Sequence, residues 1–356
     1  MEYNSITSLK ENGFKELTNL RKLNLKDNRI KTIENGTFAG LASLNELNLA
    51  NNDIINMTTI FTGLESVAVI NVEGNQIVDL PPPDIPIMRM LTQLNLAKNS
   101  LKTVNGNSFL SFPRLETLNL SSNAIDNIEM GAFRGLDKLE SLDLSNCAIG
   151  NIQKGLLSSL HELRFLDLSI NHLAVFQTGV FSGLPELRKL NISRNQITSY
   201  EKTGIFPLHS LHILDLSYNS LEDLDYKLLV SHLPSLSYIG LKNNPWPCYL
   251  KKEMEELFVH DNLVFDLGKI DLKEKCNDTR SKVVEPVVQE PIIMDEPKPS
   301  SSSHDYALYI FIVLGLIAII ILFVMQMRNR RDIKNIIGRY NVAETHLISH
   351  NMDENY

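Results

Sequence analysis

The sequence predicts a repeat solenoid of the α/β type, built on parallel strands and followed by one membrane-spanning helix. Three observations predict it. An eleven-residue phrase recurs along the chain with a step of 24 residues, and a second apolar series recurs with the same period. An uncharged apolar run of about 20 residues then follows near the C-terminus. Repeated units of this length stack so that each buries the apolar side of its neighbour.

The composition narrows the class of protein. The chain has 356 residues, of which 43% are hydrophobic, which is typical of a folded protein. Its 34 basic and 42 acidic side chains give a net charge of -8. Nucleic-acid-binding proteins usually carry an excess of Lys and Arg, so we expect no nucleic-acid partner. Three cysteines are too few for a scaffold held together by disulfides, although they allow one disulfide bond.

The repeat begins as LRKLNLKDNRI at Leu20 and continues to LHILDLSYNSL at Leu211, with degenerate copies at Val67 and Leu236. Within each copy the alternate apolar residues predict one short strand with a buried face. One position near the end of each copy is Asn in nine copies and Cys in one. That position is occupied by Asn28, Asn52, Asn75, Asn99, Asn123, Cys147, Asn171, Asn195, Asn219 and Asn244.

This pattern resembles the leucine-rich repeat, from about residue 4 to residue 247. The resemblance implies a horseshoe with a parallel sheet on its concave face and an irregular or short helical convex side. It also implies a ladder of buried Asn side chains, in which Cys147 is a known substitute and an inert thiol; a reactive thiol is the alternative. The second apolar series is expected to fill the convex side. Its members are Phe14, Phe38, Phe61, Ile85, Phe109, Phe133, Leu157, Phe181, Ile205 and Leu229.

Residues 245–276 resemble the C-terminal cap of extracellular leucine-rich repeat proteins. Leu250, Met254, Leu257 and Phe258 share one helical face that would close the end of the core, and Trp246 would cover the last repeat. The usual cap has four cysteines, whereas this one has two. The resemblance therefore implies a reduced cap with one disulfide, Cys248 to Cys276, and two free thiols in a cytosolic cap are the alternative.

The N-terminal end of the sequence begins inside a repeat. Asn4 lies one period before Asn28, and neither a secretory signal nor a Cys-rich N-terminal cap precedes it. An uncapped solenoid end would expose apolar core. We therefore expect residues 1–247 to be repeats that are preceded by further residues upstream.

The amino-acid composition changes twice after the cap. Residues 277–305 are rich in Pro, Ser and acidic residues and predict a disordered stalk. Residues 306–326 carry no charge and are long enough to cross a bilayer as a helix. Basic residues open the tail, 327–356, and predict that it is cytoplasmic and contacts the lipid bilayer. The tail is too short for a signalling domain.

Two topologies remain open. In the favoured one the protein is a single-pass type I protein of the plasma membrane, with its repeats extracellular. In the other it is a tail-anchored scaffold, with its repeats in the cytosol. The cap cysteines and five Asn-x-Ser/Thr sequons favour the first. The sequons are at Asn35, Asn56, Asn119, Asn191 and Asn277.

The predicted function is binding of a protein partner, in adhesion, recognition or a co-receptor role. We find no catalytic constellation, no metal-ligand spacing and no cofactor motif, so we expect no enzyme. The exposed strand positions of the last four copies are aromatic, aliphatic or basic, a combination typical of interface centres. The partner is expected to be a protein ligand or membrane co-receptor, and homodimerisation is left open. The predicted partner-binding residues are Arg164, Phe165, Ile170, Arg188, Lys189, Arg194, Ile213, Tyr218, Tyr238 and Lys242.

Overall fold

The computed structural model describes residues 1–200, 205 and 207–268. The predicted stalk, membrane helix and tail lie outside the described residues, as do Cys276 and Asn277. Within the described ranges, no helix has both the length and the apolar character needed to cross a membrane.

The core of the fold is an 11-stranded parallel sheet. Each of the ten predicted copies contributes one three-residue strand, and an eleventh strand follows the cap helix. These strands are β2 (Lys22–Asn24), β4 (Glu46–Asn48), β5 (Val69–Asn71), β6 (Gln93–Asn95), β8 (Thr117–Asn119), β10 (Ser141–Asp143), β11 (Phe165–Asp167), β13 (Lys189–Asn191), β15 (Ile213–Asp215), β16 (Tyr238–Gly240) and β17 (Val264–Asp266).

Shorter elements lie outside this sheet. Three pairs of two-residue strands lie there, joined β1 to β3, β7 to β9 and β12 to β14. The described chain also contains one 3-10 helix and two α-helices. The bounds are β1 (Ser8–Leu9), β3 (Thr32–Ile33), β7 (Thr103–Val104), β9 (Asn127–Ile128), β12 (Val175–Phe176), β14 (Ser199–Tyr200), the 3-10 helix (Thr58–Phe61), α1 (Tyr226–His232) and α2 (Cys248–His260).

The register of the sheet aligns equivalent residues of successive copies. Leu142, Leu166 and Leu190 are direct neighbours on β10, β11 and β13, and all three are buried. The residues on either side of each central Leu point away from the core, because side chains alternate along a strand. The period therefore places side chains 24 residues apart in sequence next to one another in space.

The predicted Asn ladder is present along the buried edge of the strands. Asn123 is representative: its Nδ2 donates to the Leu96 and Leu120 carbonyls at 3.0 and 2.8 Å, and its Oδ1 accepts from the Leu101 N–H at 3.0 Å. One amide thus satisfies backbone groups of its own copy and of the preceding copy. Buried backbone groups without such partners would carry a desolvation cost.

The second apolar series fills the side opposite the sheet, as the sequence predicts. All ten of its members are buried. Phe14 stacks on Phe38 with ring centroids 6.1 Å apart, and Phe109 stacks on Phe133 at 6.2 Å. These two pairs join counterparts in neighbouring copies, so the stability of one copy depends on the next.

The C-terminal end of the solenoid is closed by α2. Met254 and Phe258 are fully buried and Leu257 partly so, as the one-face pattern predicts. Trp246 is buried and its Nε1 donates to the Leu241 carbonyl at 2.7 Å. Cys248 takes part in a disulfide. Its predicted partner, Cys276, lies outside the described residues, so the pairing stays a prediction.

Candidate protein-binding surface

The ten predicted partner-binding residues all lie on the exposed face of the sheet or at the ends of its strands, from β11 to just beyond β16. We call them the C-terminal concave surface. Phe165, Lys189, Ile213 and Tyr238 form its strand row, since the pairing of β11, β13, β15 and β16 puts each beside the next. Phe165 is 47% exposed, which is high for an aromatic side chain on a strand.

A second row lies where the chain leaves each strand. Ile170, Arg194 and Tyr218 form this loop row, and each has a left-handed backbone with φ of 56°, 55° and 57°. In other copies the same position is held by Asp27, Asn51, Gly74, Asn146 and Asn243, residue types that accept this conformation, and by Lys98 and Ser122. A β-branched Ile there costs about 1–2 kcal/mol, and Ile170 is 46% exposed, so burial does not offset that cost.

Cations flank the Tyr218 ring. The Arg194 guanidinium lies 4.2 Å from the ring centroid, and the Lys242 ammonium lies 5.8 Å from it. Lys242 also pairs with Asp266 at 2.9 Å. The hydrogen bond between them raises the pKa of Lys242 and lowers the pKa of Asp266. The Tyr218 ring thus contacts side chains of both neighbouring copies.

The basic residues at the start of the strands have different surroundings. Arg164 pairs with Glu140 at 2.8 Å, yet its buried Nε has no hydrogen-bond partner within the described part of the chain. Arg188 and Lys189 are exposed. A shallow depression of about 280 Å³ lies over β10 and β11 and reaches Lys189 of β13; Phe165, Asp143 and Asp167 are among the residues that line it.

Carboxylates lie between the two rows and have structural roles. The Oδ1 atoms of Asp143, Asp167 and Asp215 accept from the backbone N–H two residues later, at 2.8–2.9 Å. Asn residues at equivalent places, such as Asn95, make the same bond. These Asp residues therefore replace Asn without a change of local structure. Burial raises the pKa of Tyr238, and the charge of Asp215 adds to that effect.

The described sequons fall into two groups. Asn35 and Asn56 are exposed on loops away from the sheet. Asn119 and Asn191 are half-buried on β8 and β13. Asn191 donates from Nδ2 to Asp167 at 2.8 Å, and its Oδ1 accepts from the Ser193 N–H. The two loop sequons are therefore the accessible ones, and the fifth, Asn277, lies outside the described residues.

The periodicity located both rows but did not reveal how their members interact. The pairing of Arg164 with Glu140, the stacking of Arg194 on Tyr218 and the pairing of Lys242 with Asp266 were missed. A usable signal exists, because the partners in each case are 24 residues apart. The left-handed backbone at Ile170 has a weaker signal, because five of the other copies have Asp, Asn or Gly at that position.

Comparison with known proteins identifies the repeat. The family model described as leucine rich repeat matches residues 1–54, 89–149, 139–197, 161–221 and 187–245, more than half of the chain. No curated protein matches it significantly. A leucine-rich repeat protein of Leptospira interrogans, LIC12759, superposes with a TM-score of 0.56 and 22% identity, over 74% of this chain and 76% of that chain.

A second solved structure that matches is the TLR13–ssRNA13 complex. It superposes with a TM-score of 0.54 and 20% identity, over 74% of this chain. The alignment spans only 50% of the length of the TLR13 chain. At these identities both structures establish the fold that the chain shares with them.

Proposed function

Because the chain belongs to the leucine-rich repeat family, we propose that it is a cell-surface recognition or adhesion protein that binds a protein partner through the C-terminal concave surface. The main support is the exposure of Phe165 and Ile170 beside the stacked pair of Arg194 and Tyr218. Exposed aromatic and Arg side chains on a rigid support are typical of the residues that dominate binding energy.

The contrast with earlier strands supports the choice of this part of the sheet. The strand row continues toward the N-terminus as Ser141, Thr117 and Gln93, small or polar residues that are depleted at interface centres. The surface from β11 to β16 is therefore the stronger candidate. The TLR13 structure contains ssRNA, but the net charge of -8 favours a protein partner for this chain.

The cell-surface part of the proposal draws on other residues. Asn35 and Asn56 are exposed sequons, accessible to glycan if the repeats enter the secretory pathway. The cap with Cys248 resembles extracellular caps, and the basic residues after the predicted membrane helix favour the type I orientation. A membrane co-receptor or a ligand on another cell fits this placement.

Replacing two Tyr residues of the C-terminal concave surface with Ala tests the proposal. Full-length chain on transfected cells is screened against secreted protein ectodomains, and the ligand found is titrated against Tyr218→Ala/Tyr238→Ala. We expect binding to weaken by about 2 kcal/mol or more, roughly thirtyfold, because buried Tyr side chains dominate such interfaces. The matched control is Lys98→Ala/Thr117→Ala, the loop-row residue of an earlier copy and the strand-row residue of the copy that follows it. Unchanged affinity in the Tyr variant would sink this binding site.

A further inference from the structure

Ion pairs between neighbouring copies recur along the described solenoid. A base on one copy pairs with an acid that lies one period away, because the register brings such residues side by side. The pairs are Lys10 with Glu34, Lys22 with Glu46, Lys98 with Glu73, Lys138 with Glu162, Arg164 with Glu140, and Lys242 with Asp266. Six bases are thus paired across copies, whereas others, such as Lys31, Lys102 and Arg114, have no such pair among the described residues.

The eighth copy departs from this arrangement. It presents Arg188, Lys189 and Arg194, and none of them forms an ion pair with a described residue. Their neighbours one period away carry no carboxylate: Arg188 has Arg164 and His212, Lys189 has Phe165 and Ile213, and Arg194 has Ile170 and Tyr218. Three uncompensated cations therefore lie on and beside one strand, β13.

This arrangement does not serve the stability of the fold. Arg164 and Arg188 are adjacent along the sheet, since the Arg188 N–H donates to the Arg164 carbonyl, and like charges side by side are destabilising. The carboxylates between the rows form no ion pair with these cations: Asp167 accepts from Asn191 and Ser169, Asp215 accepts from the Ser217 N–H, and Asp266 pairs with Lys242. The positive charge of β13 is available to a partner.

The cations are also placed for directional binding. The Arg194 guanidinium lies over the Tyr218 ring, and its N–H groups form no hydrogen bond with a described residue. A guanidinium fixed in this way is suited to a carboxylate, which it binds with two parallel hydrogen bonds. Apolar side chains lie on both sides of the basic strand: Phe165 and Ile170 toward the N-terminus, and Ile213 toward the C-terminus.

We propose that the partner is an acidic protein segment, whose carboxylates contact Arg188, Lys189 and Arg194 and whose apolar side chains contact Phe165, Ile170 and Ile213. This inference rests on the proposed function and names the chemistry of the partner. The alternation of charge and apolar surface favours a peptide with both kinds of side chain over a nucleic acid.

A charged copolymer tests this chemistry without a known ligand. Full-length chain in nonionic detergent is titrated with a fluorescein-labelled random copolymer of glutamate and tyrosine, and in parallel with oligouridylate. We expect the copolymer to bind and its affinity to fall with added salt. Arg188→Glu/Lys189→Glu/Arg194→Glu is expected to weaken binding at least about tenfold. Lys31→Glu/Lys102→Glu/Arg114→Glu, an equal charge change at exposed sites elsewhere, is expected to have little effect.

Several outcomes would overturn the inference. They are failure of the copolymer to bind, an equal loss in both triple variants, and binding of oligouridylate alone. The proposed function is judged separately. If the copolymer fails while a cell-surface ligand is lost in Tyr218→Ala/Tyr238→Ala, the acidic chemistry is wrong and the binding surface stands. If the ligand survives that double substitution, the binding surface itself is wrong.

Discussion

At the scale of single residues, Cys147 is the exception in the ladder. Its thiol makes only long contacts, 3.5 Å to the Leu120 carbonyl and 3.6 Å to the Ser145 carbonyl. In the preceding copy, Asn123 donates to the equivalent carbonyls of Leu96 and Ser121 at 3.0 and 3.3 Å, and also to the Leu120 carbonyl at 2.8 Å. The thiol is buried, and burial raises its pKa, so it stays protonated and poorly nucleophilic at neutral pH. The inert ladder interpretation is thereby favoured over a reactive site.

Restoring the ladder residue is therefore expected to stabilise the protein. Cys147→Asn replaces two weak contacts by the amide hydrogen bonds of the other copies, and we expect the free energy of unfolding to rise by about 1 kcal/mol. Denaturant unfolding followed by circular dichroism measures it. Cys147→Ser serves as the control, because Ser supplies one hydrogen-bond donor on a side chain shorter than that of Asn. A fall in stability for the Asn variant would mean that the backbone around residue 147 does not fit the amide.

At the scale of elements, the cap depends on one aromatic side chain. Phe258 of α2 is fully buried. Its ring centroid lies 6.3 Å from that of Tyr226 and 5.6 Å from that of Phe265. It thus joins α1, α2 and β17. Phe258→Ala is expected to cost about 3–5 kcal/mol. Thermal unfolding measures this, with Val259→Ala, an exposed neighbour on the same helix, as the control. A loss below 1 kcal/mol would show that the cap does not close the core.

Some of these elements could be predicted from the sequence and others could not. The ten repeat strands and the buried face of α2 were predictable, because their apolar spacing recurs or follows the helical period. Strand β17 was not, since Val264–Asp266 is too short for a periodic pattern and pairs only because β16 offers an open edge. The short α1 escaped notice as well: its sequence, YKLLVSH, falls in the stretch where other copies have turns.

At the scale of the whole molecule, the stacking of copies places residues that are one period apart in sequence side by side on the exposed face. The strand row of Phe165, Lys189, Ile213 and Tyr238 was predictable from the 24-residue step alone. Which members pair was not, because stacking and ion pairing depend on side-chain reach and on the left-handed backbone of the loop row. A binding site of this kind extends over several copies, and no local motif marks it.

The placement of the repeats outside the cell is the central claim on which the proposed function depends. The electrophoretic mobility of the endogenous protein before and after N-glycosidase treatment tests it most directly. The account predicts a downward shift on treatment, carried mainly by Asn35 and Asn56 and reduced in Asn35→Gln/Asn56→Gln. An unchanged mobility at a mass near 40.3 kDa would contradict it and would place the repeats in the cytosol.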